Sequence, residues 1–236
     1  MAVSVDLVYK TVLLILNKEQ RGYMTPDEFN KSAIQAQLEI FEKYFDDLNV
    51  QLRIPESDNE YADRIRTIED NIAIFQERQV LSFNGTSYFN NSGVDIHRLG
   101  SVQYEPTNLI PVEIQQMTQR EYLESARSPI AKPSEDFPAL VKRGNQYFVY
   151  PTTIVNNVVA YFIRKPNNPN WGYTVNPING AFINDPNTTV NFELSDIEQT
   201  ELVFKILMYA GVIVRDPQIV QTAASMVTEE NQTEKT

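Results

Sequence analysis

Apolar residues in the first third of the chain recur at helical spacing. Between Met24 and Leu48, Ile34, Leu38, Phe41, Phe45 and Leu48 follow one another at four- and three-residue steps. Phe29, Ala33, Ala36, Ile40 and Tyr44 make a second stripe beside them, and Gln35, Glu39, Glu42 and Asp46 fall together on the other side. The pattern predicts one long amphipathic helix whose apolar face is wider than one neighbour can cover. Its own core and a second subunit are both compatible occupants. Thr25 supplies an N-cap, Pro26 suits the first helical position, and Glu28 completes a capping box. Met24 and Phe29 are placed for a hydrophobic staple.

Upstream, Ser4–Gln20 reads as a helix that is apolar nearly all round, hence mostly buried, with Gly22 as a left-handed stop. The two helices should form an antiparallel hairpin. After a break at Pro55, Glu60–Ile68 can form a third helix with Asp58 or Asn59 as cap, and Ile72–Phe75 either continues it or begins a strand.

From Val80 the period shortens to that of strands. Val80–Phe83 and Tyr88–Phe89 flank the turn dipeptide Asn84–Gly85, and Leu99–Tyr104 and Val112–Gln116 follow as strands. Thr118–Glu121 is a second capping box, opening a helix over Gln119–Ala126. Ala139–Arg143 and Gln146–Tyr150 form a hairpin around Gly144–Asn145, and Val158–Arg164 should join them as a three-stranded meander. Lys165–Thr189 reads as a Pro- and Asn-rich loop. Ser195–Glu198 is a third capping box, for a helix over Asp196–Ala210 that Gly211 should stop. Asp216–Pro217 opens a short final helix to Val227, and a polar tail follows.

The order helices, strands, helices predicts an α+β fold: a helical bundle built from both chain ends with an antiparallel β-rich insertion. The expected divisions are 1–79, 80–193 and 194–227, with a flexible tail at 228–236. The chain has 236 residues and a formal net charge of −11. That balance argues against gripping nucleic acid through its phosphates, which needs clustered Lys and Arg. There is no cysteine and one histidine, His97, so thiol chemistry and two-histidine metal sites are excluded. No signal peptide, membrane-spanning run, phosphate loop or nucleophile elbow is visible. The carboxylate pairs Asp27–Glu28, Asp46–Asp47, Glu135–Asp136 and Glu229–Glu230 read as caps or solvated charges. No enzymatic site and no cofactor are expected. Trp171 and Tyr173, in the Pro/Asn-rich loop, either pin that loop onto its own sheet or contact a partner.

Three co-linear stretches carry a resemblance. They are Leu7–Asn30 (LVYKTVLLILNKEQRGYMTPDEFN), Gln146–Tyr173 (QYFVYPTTIVNNVVAYFIRKPNNPNWGY) and Phe192–Pro217 (FELSDIEQTELVFKILMYAGVIVRDP). Together they resemble head-to-tail connector (adaptor) and tail ring proteins of short-tailed bacteriophages, crAss-like phages included. The resemblance implies a virion protein of the neck or tail. It implies a homo-oligomeric ring, a dodecamer matching the portal, with the portal and the next tail ring protein as partners. DNA would be cargo passing through the channel. It also implies portal docking by the C-terminal segment, which makes Arg215, Asp216, Ile219 and Val220 candidate interface residues beside Trp171 and Tyr173. The β region departs from compact all-helical adaptors. A peripheral tail or host-recognition module that uses the β insertion as a binding surface is the alternative.

Overall fold

Local chemistry sets the start of the longest helix. In the computed structural model, which describes residues 3–18, 23–52, 59–106 and 110–214 together with 225, 226 and 228, α2 runs over Pro26–Gln51. The Glu28 N–H donates to the Thr25 hydroxyl, and the Thr25 N–H donates back to the Glu28 carboxylate at 2.8 Å. Both expected halves of the capping box are therefore made.

The chain divides into two units, residues 1–74 with 166–236, and Phe75–Lys165. The fold is α+β, as expected. The first unit contains α1 (Val5–Lys18), α2, α3 (Asn59–Ala73) and α5 (Gln199–Val214). Of the two stripes on α2, Phe29, Ala33, Ala36, Ile40 and Tyr44 are all buried, whereas Ile34, Leu38 and Leu48 are only partly covered. Phe41 and Phe45 are buried too, so the inward face lies between the two stripes. Val5, Val8, Val12 and Leu16 of α1, and Leu202 and Ile206 of α5, are fully buried in the same unit. Leu7 and Leu14 are half exposed, so α1 is amphipathic and not buried all round as its composition implied. Gly22 lies outside the described residues. α3 continues through Ile72 to Ala73, and the strand begins only after it.

Two expectations for α5 fail for local reasons. Asp196–Glu198 forms a 3-10 turn in which the Glu198 N–H donates to the Ser195 carbonyl at 3.0 Å. The donor a capping box needs is thereby taken by the backbone, and the Ser195 side chain makes no cap bond. Gly211 does not stop the helix, which continues to Val214, because the glycine itself is helical and buried.

The second unit holds two sheets. One has the order β1 (Gln76–Val80), β9 (Val158–Arg164), β4 (Ile96–Tyr104), β5 (Val112–Glu113). The other has β2 (Ser82–Phe83), β3 (Tyr88–Phe89), β8 (Gln146–Tyr150), β7 (Ala139–Arg143), β6 (Gln115–Met117). The chain passes from the first sheet to the second at two single residues, Leu81 and Ile114. Each keeps its N–H bonded to the sheet it leaves, to the carbonyls of Val158 and Val102, while its side chain enters the core. Both sheets feed one core, with Val102, Ala160 and Phe162 from the first and Tyr88, Leu140 and Tyr147 from the second. All neighbours are antiparallel except β6 and β7. The helix at the second capping box, α4 (Gln119–Arg127), stacks Tyr122 on Tyr150 with centroids 4.0 Å apart.

The expected meander does not form. β7 and β8 pair as a hairpin, but β9 lies between β1 and β4, and β8 pairs with β3 instead. The link after Tyr150 drives its Ile154 side chain into the core, and the Tyr88 hydroxyl donates to the Ile154 carbonyl at 3.0 Å. The chain thus crosses to the other sheet. In β4 the register shifts around Gly100, where an added Cβ would lie 2.8 Å from the Tyr161 carbonyl oxygen. The β-rich unit also ends earlier than expected, at Lys165 and not near residue 193.

The intact and the failed capping boxes predict different mutational costs. Thr25→Ala should cost about 1 kcal/mol, and Ser195→Ala a few tenths at most, both read from urea unfolding followed by the fluorescence of the single tryptophan. Hydrogen bonds from the Thr25 hydroxyl and then its backbone N–H hold the Glu28 carboxyl below the usual carboxylate range. A carboxyl depressed in the folded state contributes stability above its unfolded pKa and loses it as pH falls through the folded value. The Thr25→Ala penalty should therefore shrink below about pH 4. A constant penalty down to about pH 2.5 would contradict the assignment.

Candidate interaction surfaces

Two amide side chains on α2 organise the segment after Lys165. Gln37, only 2% exposed, donates to the Asn167 carbonyl at 2.7 Å and accepts from the Glu193 N–H at 3.0 Å. Seven residues earlier, Asn30 donates to Asn170 and accepts the Trp171 N–H at 2.8 Å. A buried amide must find such partners or lose its solvation. At the start of α1, Val5 and Val3 complete the docking by bonding Asn191 and Phe192.

Trp171 is 4% exposed. Its indole N–H donates to Asp6 Oδ1 at 3.0 Å, and its ring lies 4.4 Å from Tyr9, which lies 4.7 Å from Phe29. Burial pushes the Asp6 carboxyl up, but hydrogen bonds from Lys10 and Trp171 outweigh it and hold the group below its ordinary value. Outward from Trp171 the rings continue through Tyr173 at 6.0 Å to Phe182 at 5.1 Å. Each such pair is worth about 0.5–1.5 kcal/mol beyond the area it buries. Trp171 is thus a pin and not a partner contact, and it pins the segment onto helices, not onto a sheet.

The region expected as a loop contains a hairpin, β10 (Tyr173–Val175) and β11 (Phe182–Asn184). An isolated two-stranded ribbon is marginal in water, so the ring series that roots it matters. Gly172 sits at the root, where a Cβ would meet Thr188 and the Asp185 carbonyl at impossible distances. From Gly172 to Asn184 there is no Asp, Glu, Lys or Arg. Val175, Ile178 and Ile183 are 55, 93 and 50% exposed, and Tyr173 is 38% exposed. Of the expected interface residues, Tyr173 therefore lies on an exposed element. Arg215, Asp216, Ile219 and Val220 lie outside the described residues.

A second surface lies along α2 and α5. The Glu201 carboxylate, 2% exposed, lies 3.0 Å from Lys43 Nζ and 3.7 Å from Lys205 Nζ. Lys205 also reaches Glu39 at 3.4 Å, and the Tyr209 hydroxyl donates to Glu39. Burial, then that bond, pushes the Tyr209 hydroxyl up to about 12, so it remains a donor at neutral pH. Beside this network runs an open groove of about 610 Å³ with Glu42, Asp46 and Asp47 among its walls, an acidic surface overall. At the C-terminal end of α2 a smaller cavity of about 270 Å³ is lined by Tyr44, Val50 and Ile68 and by Ile197 ahead of α5.

Among the described residues no three His, Asp or Glu side chains come close enough to hold a metal. Neither do they include a helix long and apolar enough to cross a membrane. His97 is half-buried on β4. No protein-family model matches the chain, and a search of curated proteins finds no match.

The hairpin, Gln37 and Glu201 are not among the features expected from the sequence. Asn179–Gly180 was the available signal for the first, and Gly180 takes a positive φ of 68° at the turn. For the other two, a polar residue on an apolar stripe was the signal. Removing Glu201 takes from Lys43 and Lys205, side chains 18 and 12% exposed, the buried carboxylate they share. Glu201→Ala should cost roughly 3 kcal/mol, and Lys205→Met clearly less, because Lys43 still neutralises the carboxylate. Equal penalties in tryptophan-monitored unfolding would mean that the network is not what holds α5 to α2.

Proposed function

We propose that the chain is a structural virion protein, a ring subunit in the head-to-tail connector of a short-tailed bacteriophage, extending the DNA channel below the portal. The three co-linear stretches at Leu7–Asn30, Gln146–Tyr173 and Phe192–Pro217 suggest it. The structural observation that carries it is the rooted, uncharged hairpin at Tyr173–Asn184 on a chain of net charge −11. A permanent apolar knob of this kind calls for a protein partner. The acidic groove along α2 and α5 suits a wall that repels DNA and lets it slide. On this reading the partners are other copies of the chain, the portal and the next tail ring, and the protein performs no catalysis.

One observation favours the alternative of a peripheral tail or host-recognition module. In the β-rich unit, Ile130 and Phe137 of the loop after α4 are 96 and 80% exposed, and Ile110 is 84% exposed. Imaging of the intact virion separates the readings. The ring reading expects density for this chain around the DNA channel, whereas density at the tail periphery would replace it with the alternative. In solution, the ring reading expects oligomers of the purified protein alone or with its portal. Strictly monomeric protein in both samples, together with its absence from virions, would end that reading.

A further inference from the structure

Asparagine followed by glycine occurs twice in the chain, at Asn84–Gly85 and Asn179–Gly180. Both pairs are exposed, and both glycines take a positive φ, 93° and 68°. Such a pair can modify itself, because glycine has no side chain to keep its backbone nitrogen from the asparagine amide. A Cβ built on either glycine would meet nothing within 4 Å, so water has access to both. In each pair the asparagine Oδ1 accepts the N–H two residues on, from Thr86 at 3.0 Å and from Ala181 at 3.1 Å. That bond closes a ring that contains the side-chain amide carbon, Cγ, and the glycine nitrogen.

The two pairs differ at both reacting atoms. The Gly180 N–H donates to the Asn176 carbonyl at 2.8 Å, a bond that attack by this nitrogen would break. Among the described residues the Gly85 N–H has no hydrogen bond. Asn84 Oδ1 also accepts the Ser87 N–H at 2.8 Å and the Ser87 hydroxyl at 3.3 Å. For Asn179 Oδ1 the Ala181 N–H is the one donor among the described residues. Donors already aimed at an oxygen that gains negative charge lower the barrier to attack on its carbon.

We propose that Asn84 is a site of spontaneous deamidation, and that the fold protects Asn179 in the same dipeptide. The Gly85 nitrogen gives its proton to solvent and bonds to Asn84 Cγ. The charge that builds on Oδ1 is met by the donors of Thr86 and Ser87. The Cγ–Nδ2 bond then breaks, Nδ2 takes a proton from water, and ammonia leaves behind a succinimide ring. Water adds to one of the two ring carbonyls. Opening at Cγ gives aspartate, and opening at the backbone carbonyl gives isoaspartate. One water is consumed, one ammonia is released, and a neutral amide becomes a carboxylate. In isoaspartate the main chain runs through Cγ and is one carbon longer. The 3.0 Å bond from the Asn84 N–H to the Ser87 carbonyl closes the turn between β2 and β3, and it would lose its register. Ser87 and Tyr88 beside it are buried, so the reaction loosens the β2 edge of the second sheet.

Incubating the whole folded protein at mildly alkaline pH, followed by digestion and peptide mass spectrometry, tests the assignment. The Asn84 peptide should gain the mass of an amide-to-acid exchange about tenfold faster than the Asn179 peptide. Chromatography should resolve its product into aspartate and isoaspartate forms. In denaturant the two peptides should convert at comparable rates, because neither the Asn176 carbonyl nor the Ser87 donors are then in place. Equal rates in the folded protein, a faster Asn179, or the same preference for Asn84 in denaturant would each overturn the assignment. None of these outcomes depends on the ring reading.

Discussion

The buried Gln37 amide is the interaction from which much of the first unit follows. It sits on the inward face of a long helix, where an unsatisfied amide would cost about 1–3 kcal/mol. Its two partners, Asn167 and Glu193, are the two ends of the segment that carries the hairpin. Satisfying one side chain therefore brings both ends of that segment to α2, and Asn30 fixes the part between them. With the segment held, Trp171 reaches Asp6 and Tyr9, and the ring series can run from Phe29 out to Phe182. A polar residue in an apolar stripe thus serves as the joint of the helical unit.

The two units are built on different principles. The first depends on specific polar bonds between distant stretches, with Gln37, Asn30 and Glu201 each holding a separate partner. The second depends on strand continuity, because Leu81 and Ile114 each belong to both sheets through one backbone bond and one buried side chain. Surface chemistry follows the same division of labour. In the first unit the acids gather along α2 while the hairpin is left without charge.

What could be read from the chain was what is decided within a few residues. The capping boxes at Thr25 and Thr118 formed because donor and acceptor lie in one turn. The hairpin at Gly144–Asn145 formed for the same reason. Ser195 failed because an equally local competitor, the 3-10 turn, took its donor. Strand positions were legible, but the neighbours of β9 were not, since its pairing with β1 and β4 joins residues far apart in the chain. The two readings of Trp171 could not be separated in the sequence because the deciding partner, Asp6, is 165 positions away. The hairpin at Tyr173–Asn184 was hidden by its short strands and its Asn- and Pro-rich composition.

The second unit enters and leaves the chain at one place. Its first and last strands, β1 and β9, are direct neighbours, and the Arg164 N–H donates to the Phe75 carbonyl at 2.9 Å. The chain therefore leaves and rejoins the helical unit at paired strands, and the entropy of such a closure grows only slowly with the length enclosed. At this seam a longer or shorter insertion, closed by the same Phe75–Arg164 pairing, would cost little more in chain entropy. Related scaffolds that carry very different insertions between their third and last helices would be the natural outcome of such a seam.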